Sequence, residues 1–197
     1  MATALQDMGF EQQTQFVADQ IETARLRLRM FTPEDLDELS AIAADPEVMR
    51  YIGSGQPLTR EEVHFNLTSI INGFRRRGFG RWAVVKKVSG ALVGYCGLTH
   101  GLEEVGVEIA YLISRSEWSK GIASEAARAC LRYGFERLGL DSIAGLTRHE
   151  NRRSRRVLER LGMRYVRDAH FYGYNCVFYS ISRDEWSPCG SMYRVNR

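Results

Sequence analysis

The hydrophobic period of the sequence changes near the middle of the chain, from that of a strand to that of a helix. Residues 105–113 have the pattern of a β-strand, and from Ala123 to Leu138 apolar residues recur at spacings of three and four, as in an amphipathic helix. Between them, the segment 118–127 is rich in small residues that leave the backbone accessible. Because the first turn of a helix offers unpaired N–H groups and a positive dipole end, this unit is suited to binding a phosphate or pyrophosphate. A strand-to-helix turn without a ligand is the alternative interpretation.

Further strands and helices are predicted on both sides of this unit. Residues 24–31 alternate apolar and charged side chains and predict a half-buried strand. Thr32 followed by Pro33 predicts a helix start, and Thr59 with Glu62 predicts a capping box before a second helix. The remaining predicted strands lie at 82–87, 91–98, 105–113, 142–146, 163–166 and 175–182, and the remaining helices at 123–138 and 151–161.

The order of these elements predicts a single α/β domain. We expect a mixed, mostly antiparallel sheet of about six to seven strands, flanked by about four helices. No internal repeat or change of composition divides the chain, and its 197 residues suit one domain. We predict an N-terminal extension at 1–22, the domain at 23–187 and a C-terminal tail at 188–197 with little apolar pattern.

Composition excludes several classes of protein. The chain is 44% hydrophobic and 26% charged, as in ordinary globular proteins, and its net charge of +3 is too small to indicate a general nucleic-acid binder. No segment approaches the roughly 20 apolar residues of a membrane span, and the N-terminus lacks the pattern of a signal peptide. We therefore predict a cytoplasmic protein without a membrane partner.

The four cysteines indicate neither a metal site nor a disulfide framework. They form no CxxC pair, and no Cys/His spacing resembles a zinc site, so we predict buried free thiols and no metal. Their positions are Cys96, Cys130, Cys176 and Cys189.

Two runs of sequence resemble the GNAT superfamily of acyltransferases. They are EIAYLISRSEWSKGIASEA at residues 108–126 and ENRRSRRVLERLGMRYV at residues 150–166. More narrowly, the chain resembles the RimJ/RimL-like branch, whose members acetylate N-terminal amines of ribosomal proteins, other amines or small molecules. The runs at 23–53 and 80–98 resemble the same branch, so the resemblance spans about residues 23 to 186.

The resemblance implies acetyl-CoA as the acetyl donor. Leu112 and Ile113 would bind the pantetheine arm through backbone groups, and Asn151 would contact the coenzyme nearby. The strands that hold Glu108 and Ile143 would lie parallel and splay apart to admit the arm. The pyrophosphate would lie on the loop and helix start formed by Trp118, Ser119, Lys120, Gly121, Ile122, Ala123 and Ser124.

The chain departs from the branch at Ser119, where glycine is usual. Serine has less conformational freedom than glycine. The backbone donors of the loop are retained, so the departure puts only the shape of the loop in doubt.

Acetyl transfer needs a group that removes a proton from the amine and a group that protonates the leaving thiolate. Glu108 is the preferred base, because apolar neighbours in its strand would bury it and raise its pKa. A solvated carboxylate, a carboxylate paired with arginine, and a water chain as the base remain alternatives. Ser154 matches a family position near the thiol and is the preferred acid, although it could instead bond a preceding helix carbonyl. Weaker candidates are Glu103 and Glu104 as bases and Tyr111 and Tyr95 as phenolic acids.

The family pattern also suggests what the acceptor is and where it binds. We predict a primary amine, either a protein N-terminus or a small amine, attacking directly in a ternary complex. The cleft would be framed by residues 51–53, the strand near Trp82 and the strand pair near residues 171–172. Acetylation of an antibiotic or polyamine is a second possibility, but the acidic pocket that such polycations require is not visible in the sequence.

Residues 148–167 contain eight arginines and two glutamates. A basic helix face can attract RNA, the ribosome or an acidic protein, or it can bind the 3′-phosphate of the coenzyme. A solvated helix face is the simpler interpretation. The rival function is therefore a CoA-binding regulatory module, or a ribosome- or RNA-associated one, without turnover. The sequence leaves monomer and homodimer open.

Overall fold

The computed structural model describes residues 19–171, 173–188, 190 and 192–196. Within these residues the chain forms nine strands in one sheet and five α-helices. The strands are β1 (Gln20–Thr23), β2 (Leu26–Arg29), β3 (Arg81–Lys86), β4 (Leu92–His100), β5 (Val107–Ile113), β6 (Ser142–Arg148), β7 (Arg164–Phe171), β8 (Tyr174–Ser182) and β9 (Tyr193–Asn196). The helices are α1 (Leu36–Ala43), α2 (Pro46–Met49), α3 (Arg60–Arg77), α4 (Ile122–Glu136) and α5 (Arg152–Arg160).

The strand order is β7-β8-β6-β5-β4-β3-β2-β1-β9. Among the described strands, β5 and β6 form the one parallel pair, and all other neighbours are antiparallel. β5 pairs with β4 at seven positions but with β6 at one, where Glu108 lies opposite Ala144. Because this pairing is near the start of both strands, they diverge toward their carboxyl ends. The predicted parallel, splayed pair is thus confirmed.

Thr32 and Thr59 occupy N-cap positions, where helix starts were predicted. Thr59 Oγ1 accepts a hydrogen bond from the Glu62 amide at 3.2 Å, and Glu62 Oε2 accepts one from the Thr59 amide at 2.8 Å, which confirms the capping box. At the earlier site, Asp35 Oδ2 accepts from the Thr32 amide at 2.8 Å, and a short 3₁₀ turn precedes α1. Local hydrogen bonds therefore fix where these helices begin.

The sheet has nine strands rather than the predicted six to seven. The two additional strands are β1 and β9, which pair with each other, Ile21 lying opposite Val195. Four residues are too few to show a period of two, and the partner is far away in the sequence, so tertiary pairing determines these strands. Residues 193–196 thus join the sheet where only a tail was predicted, and residues 1–18 of the predicted extension lie outside the described part.

The described helices number five rather than about four, because α2 follows α1 almost directly. Asp45 Oδ1 accepts a hydrogen bond from the Glu47 amide at 2.9 Å and starts a new helical turn at Pro46. The Asp45-Pro46 pair, which follows α1, therefore begins α2.

Helices cover both faces of the sheet and create two cores. On one face α4 packs its predicted inward residues, including Ala126, Cys130 and Leu131, against the sheet together with Leu158 of α5. On the other face α1 and α3 pack against residues such as Leu112. The gap between β5 and β6 therefore opens through the sheet, from the face covered by α4 and α5 to the face covered by α1 and α3.

Cys96, Cys130 and Cys176 are free and buried, as predicted, whereas Cys189 lies outside the described residues. Burial raises the pKa of the Cys130 thiol, whose sulfur lies 3.7 Å from that of Cys96. Within the described part of the chain, none of the helices has both the length and the apolar character needed to cross a membrane.

Candidate active site

A cleft of about 550 Å³ opens where β5 and β6 diverge. It brings together Glu108, Asn151 and Ser154, three site residues predicted from the sequence, with Tyr111 beside them. As expected, the segment 51–53 lines it. The other lining residues are Ser54, Arg81, Tyr95, Ile109, Ala110, Leu146, Thr147, Arg148, Phe171, Tyr174 and Cys176.

The strand near Trp82 lines the cleft as expected, but through Arg81 rather than through Trp82 itself. Trp82 is fully buried, and its indole N–H donates to the Asp19 carbonyl at 3.0 Å. Its neighbour Arg81 lines the cleft instead, because successive strand residues point to opposite faces. Phe171 lines the cleft as predicted, and Tyr172 lies outside the described residues.

Glu108 lies half-buried in the cleft and forms no ion pair with the described residues. Burial raises the pKa of its carboxyl group, and the positive charge of Arg81 opposes that rise in part. The weaker candidates Glu103 and Glu104 are exposed, and Glu104 lies 3.7 Å from Arg167 in an ion pair. Of the three acidic candidates, Glu108 is the one that lines the cleft.

Ser154 and Tyr111 form a hydroxyl pair, with Oγ and Oη 2.8 Å apart. Tyr111 also lies 3.2 Å from the Ser154 carbonyl, and burial raises the pKa of its phenol, so it remains protonated at neutral pH. The Ser154 amide donates to Asn151 Oδ1 at 3.2 Å, which makes Asn151 the N-cap of α5. Tyr111 is only a weak acid candidate in the sequence, because the fold is what places its hydroxyl next to that of Ser154.

Glu108 and Tyr111 lie on opposite faces of β5. Their spacing of three residues gives them opposite orientations in a strand. Tyr111 accordingly packs with Ile109 and Ile113 in the α4/α5 core, whereas Leu112, which has the orientation of Glu108, packs in the α1/α3 core. A reaction in the gap can thus receive one substrate from each face.

The backbone of β5 offers hydrogen-bonding groups to the gap at alternate residues. The Ser114 amide donates to the Val93 carbonyl on the β4 side. The backbone N–H and C=O of Leu112, two residues earlier, therefore face β4 as well. The backbone N–H and C=O groups of Tyr111 and Ile113 face the gap instead. Of these groups, the Ile113 carbonyl already accepts a hydrogen bond from the Trp118 indole N–H at 2.8 Å.

Ser119 adopts a left-handed conformation with φ of 63°, and no other non-glycine residue in the described part of the chain has a positive φ. This conformation costs a non-glycine residue about 1–2 kcal/mol. The loop therefore has the shape that glycine favours, although serine occupies the position.

Gly121 is the N-cap of α4, has φ of 79° and supplies no side-chain cap. The first amides of the helix, at Ile122, Ala123 and Ser124, are consequently not capped by a side chain and suit an anionic group. Ile122 can contribute only its backbone, because its side chain is buried in the core.

Lys120 and Trp118 have partners within the protein. Lys120 Nζ lies 3.4 Å from Glu117 Oε2, an ion pair without hydrogen-bond geometry. The guanidinium of Arg153 lies 4.4 Å from the centre of the Trp118 ring. None of the residues 118–124 lines the 550 Å³ cleft, so the loop and the cleft are separate regions. They are linked by the contact between Trp118 of the loop and Arg153 of α5.

The arginines of residues 148–167 do not form one uniform basic surface. Arg164 pairs with Glu185 at 3.0 Å, Arg153 stacks on Trp118, and Arg148 enters the cleft. This distribution favours separate local roles over a single nucleic-acid-binding face.

Comparison with known proteins determines the family. Residues 25–164 match the family model described as an acetyltransferase (GNAT) domain. The chain belongs to the GNAT acetyltransferases. This family transfers acetyl groups from acetyl-CoA, and relatives of the chain are named N-acetyltransferases.

Two curated relatives illustrate the similarity. Bacillus subtilis (strain 168) YkkB, described as uncharacterized, is 36% identical over 73% of this chain and 84% of its own length. FsC-acetyl coenzyme A-N(2)-transacetylase of Aspergillus fumigatus is 32% identical over 84% of this chain and 77% of its own length.

Solved structures show the same fold. A GNAT-family acetyltransferase from Bacillus anthracis superposes with a TM-score of 0.74 at 27% identity, covering 84% of this chain and 99% of its own. Ribosomal-protein-S5-alanine acetyltransferase from Vibrio fischeri gives 0.70 at 16% identity, covering 86% and 99%. The second match shows the fold alone.

Proposed function

We propose that this protein transfers the acetyl group of acetyl-CoA directly to a primary amine, a protein N-terminus or a small amine, in a ternary complex. The observation that carries the proposal is the cleft between β5 and β6, with Glu108 on one face and the Tyr111–Ser154 pair on the other. Such an arrangement holds two substrates together, which accounts for much of the acceleration in a bimolecular reaction.

The α4/α5 face is the proposed coenzyme side. The uncapped amides after Gly121 suit the pyrophosphate, and Asn151 lies at the cleft for a contact near the pantetheine. Backbone groups of Tyr111 and Ile113 are better oriented toward the pantetheine than those of Leu112, which are directed toward β4. The name of the Aspergillus relative, which includes acetyl coenzyme A, supports the same donor.

Acetyl-CoA supplies the thioester to which the amine adds. In the proposed mechanism, Glu108 removes the proton from the arriving ammonium, directly or through water. Its raised pKa suits it to this step, because a stronger base near neutral pH transfers protons more effectively. A β5 amide that faces the gap, such as that of Tyr111, stabilises the developing oxyanion.

Ser154 and Tyr111 together form the proposed acid. If Tyr111 donates to Ser154 Oγ, the Ser154 hydroxyl proton is available to the sulfur of the departing thiolate. We expect Ser154→Ala and Tyr111→Phe each to slow turnover without abolishing it, since holding the substrates together survives both changes.

Thiol release from acetyl-CoA, measured with a panel of peptides and small amines, tests the proposal. Acceptor-dependent thiol release that is slowed in Ser154→Ala is the expected result. Coenzyme binding without acceptor-dependent release would favour the regulatory alternative, and RNA affinity that falls steeply with salt would favour the RNA-associated one.

A further inference from the structure

We propose that the acceptor of this protein carries a carboxylate near its amine, and that Arg81 and Arg148 bind this carboxylate. The inference rests on the proposed acetyl transfer and specifies its acceptor class. The shared chemistry is an amine with a nearby carboxylate, found both in free amino acids and in peptides with an acidic residue near the N-terminus.

Both arginines lie on the same face of the sheet as Glu108. Arg148 is four residues beyond Ala144, the residue paired with Glu108, so alternation gives it the same orientation. Arg81 lies two residues before Ala83 and so has the same orientation as Ala83. Ala83 pairs with Tyr95, and Tyr95 pairs with Leu112, which has the orientation of Glu108. Arg81 therefore points to the same face as Glu108. All three charged side chains line the cleft on the side opposite the proposed coenzyme site.

Neither guanidinium forms an ion pair with a carboxylate of the described residues, although the charge of Arg81 acts on Glu108 at longer range. Arg148 lies 3.5 Å from the centre of the Tyr174 ring and donates to the Gly53 carbonyl at 2.6 Å, while Arg81 lies 5.3 Å from the centre of the Tyr95 ring. Aromatic stacking positions the planar groups and leaves N–H donors for a ligand. A guanidinium presents these donors in a fork that matches a carboxylate.

The charge balance of the cleft favours an anion. Glu108 is the one acidic residue among the described residues that line it, against two arginines. A polyamine or aminoglycoside would bring several positive charges toward those arginines and be repelled. An amine with a carboxylate satisfies both sets of charges, and cations near its ammonium group favour the neutral, nucleophilic form.

Matched acceptor pairs test the proposal. One pair is β-alanine and β-alaninamide, and the other is two peptides that differ only in Glu or Gln after the N-terminal residue. We expect the carboxylate partner of at least one pair to have a kcat/KM higher by about tenfold or more, the size expected for a charge-assisted hydrogen bond. The two pairs distinguish a free amino acid from a peptide acceptor.

The ratio of the two kcat/KM values within each acceptor pair is then measured in Arg148→Gln and Arg81→Gln. This ratio does not depend on how much of a variant is folded, because both values are measured on the same protein sample. We expect the ratio to fall toward one in both variants and to recover partly in Arg148→Lys. Arg76→Gln, on the exposed end of α3 outside the cleft, is the control and should keep the ratio.

Two outcomes separate this inference from the proposed function. Acetylation of neutral amines as fast as of their carboxylate partners, with ratios unchanged in the arginine variants, overturns the carboxylate site and leaves acetyl transfer standing. A lack of acetylation of every amine, with coenzyme still bound, overturns acetyl transfer and the carboxylate site together.

Discussion

At the scale of single residues, Glu108 combines two opposing influences. Burial raises the pKa of its carboxyl group, and Arg81 limits the rise. The sequence predicted the burial from apolar neighbours in the strand. It did not predict the influence of Arg81, because the sequence does not give the strand registers that bring a residue of β3 to the same face as Glu108, two strands away.

Glu108→Gln should lower kcat/KM by about 100-fold at neutral pH, the typical contribution of a general base. The wild-type rate should fall as the pH drops through the raised pKa, because the protonated carboxyl cannot accept a proton. The variant should lose this dependence and approach the wild-type rate at high pH, where the amine is already neutral. The pH profile of kcat/KM measures both effects.

The matched control is Glu104→Gln, since Glu104 is exposed and does not line the cleft. It should retain the wild-type profile. A Glu108→Gln profile parallel to that of the wild type would remove Glu108 as the base.

At the scale of elements, the loop before α4 contains a serine in the conformation of a glycine. Ser119→Gly should raise the free energy of unfolding by about 0.5–1 kcal/mol, because relief of left-handed strain exceeds the added entropy of the unfolded chain. Ser116→Gly, in the same connection but without a positive φ, should instead lower it. Chemical denaturation measures both, and a loss of stability in Ser119→Gly would contradict the strain.

Gly121→Val should weaken coenzyme binding. Crowding is not the reason, since a Cβ at Gly121 would meet only the Arg25 guanidinium, at 3.5 Å; the cause is the φ of 79°, which a β-branched residue resists. Gly78→Val is the control, because Gly78 has φ of 78° at the far end of α3. Calorimetry should show CoA affinity reduced in the first variant alone, and equal affinities would argue against the phosphate site.

Local signals predicted most elements because their causes are local. The Thr59–Glu62 capping box and the inward stripe containing Ala126 and Cys130 are visible in sequence. The β1–β9 pairing and the Tyr111–Ser154 hydroxyl pair are not, since each joins segments that only the folded sheet brings together.

At the scale of the whole molecule, Glu125 ties the turn between β1 and β2 to the start of α4. Its carboxylate accepts hydrogen bonds from the Thr23 hydroxyl at 2.6 Å, the Arg25 amide at 2.9 Å and Arg25 Nε at 2.6 Å. Burial alone would raise the pKa of this carboxyl, but these bonds lower it below its usual range. The loop proposed to bind the pyrophosphate is thereby fixed to the turn between β1 and β2.

Glu125→Gln should lower the free energy of unfolding by about 1–3 kcal/mol at neutral pH, because the buried Thr23 hydroxyl and the exposed Arg25 donors lose a charged acceptor. The folded-state pKa is depressed, so this stabilisation is present above the unfolded-state pKa and is lost as pH falls through the folded-state value. The difference between the two proteins should therefore shrink in acid. Glu136→Gln, which breaks the Arg132 pair on the same helix, should cost about 0.5 kcal/mol or less, and an equal cost for both would contradict the tie.

Acetyl transfer from acetyl-CoA to an amine can be followed by mass spectrometry of a reaction with isotope-labelled acetyl-CoA and an amine panel. We predict that the label appears on the amine in a one-to-one ratio with released thiol, more slowly in Glu108→Gln and with weaker coenzyme binding in Gly121→Val. Thiol released without a labelled amine, or coenzyme bound without either product, would contradict the account.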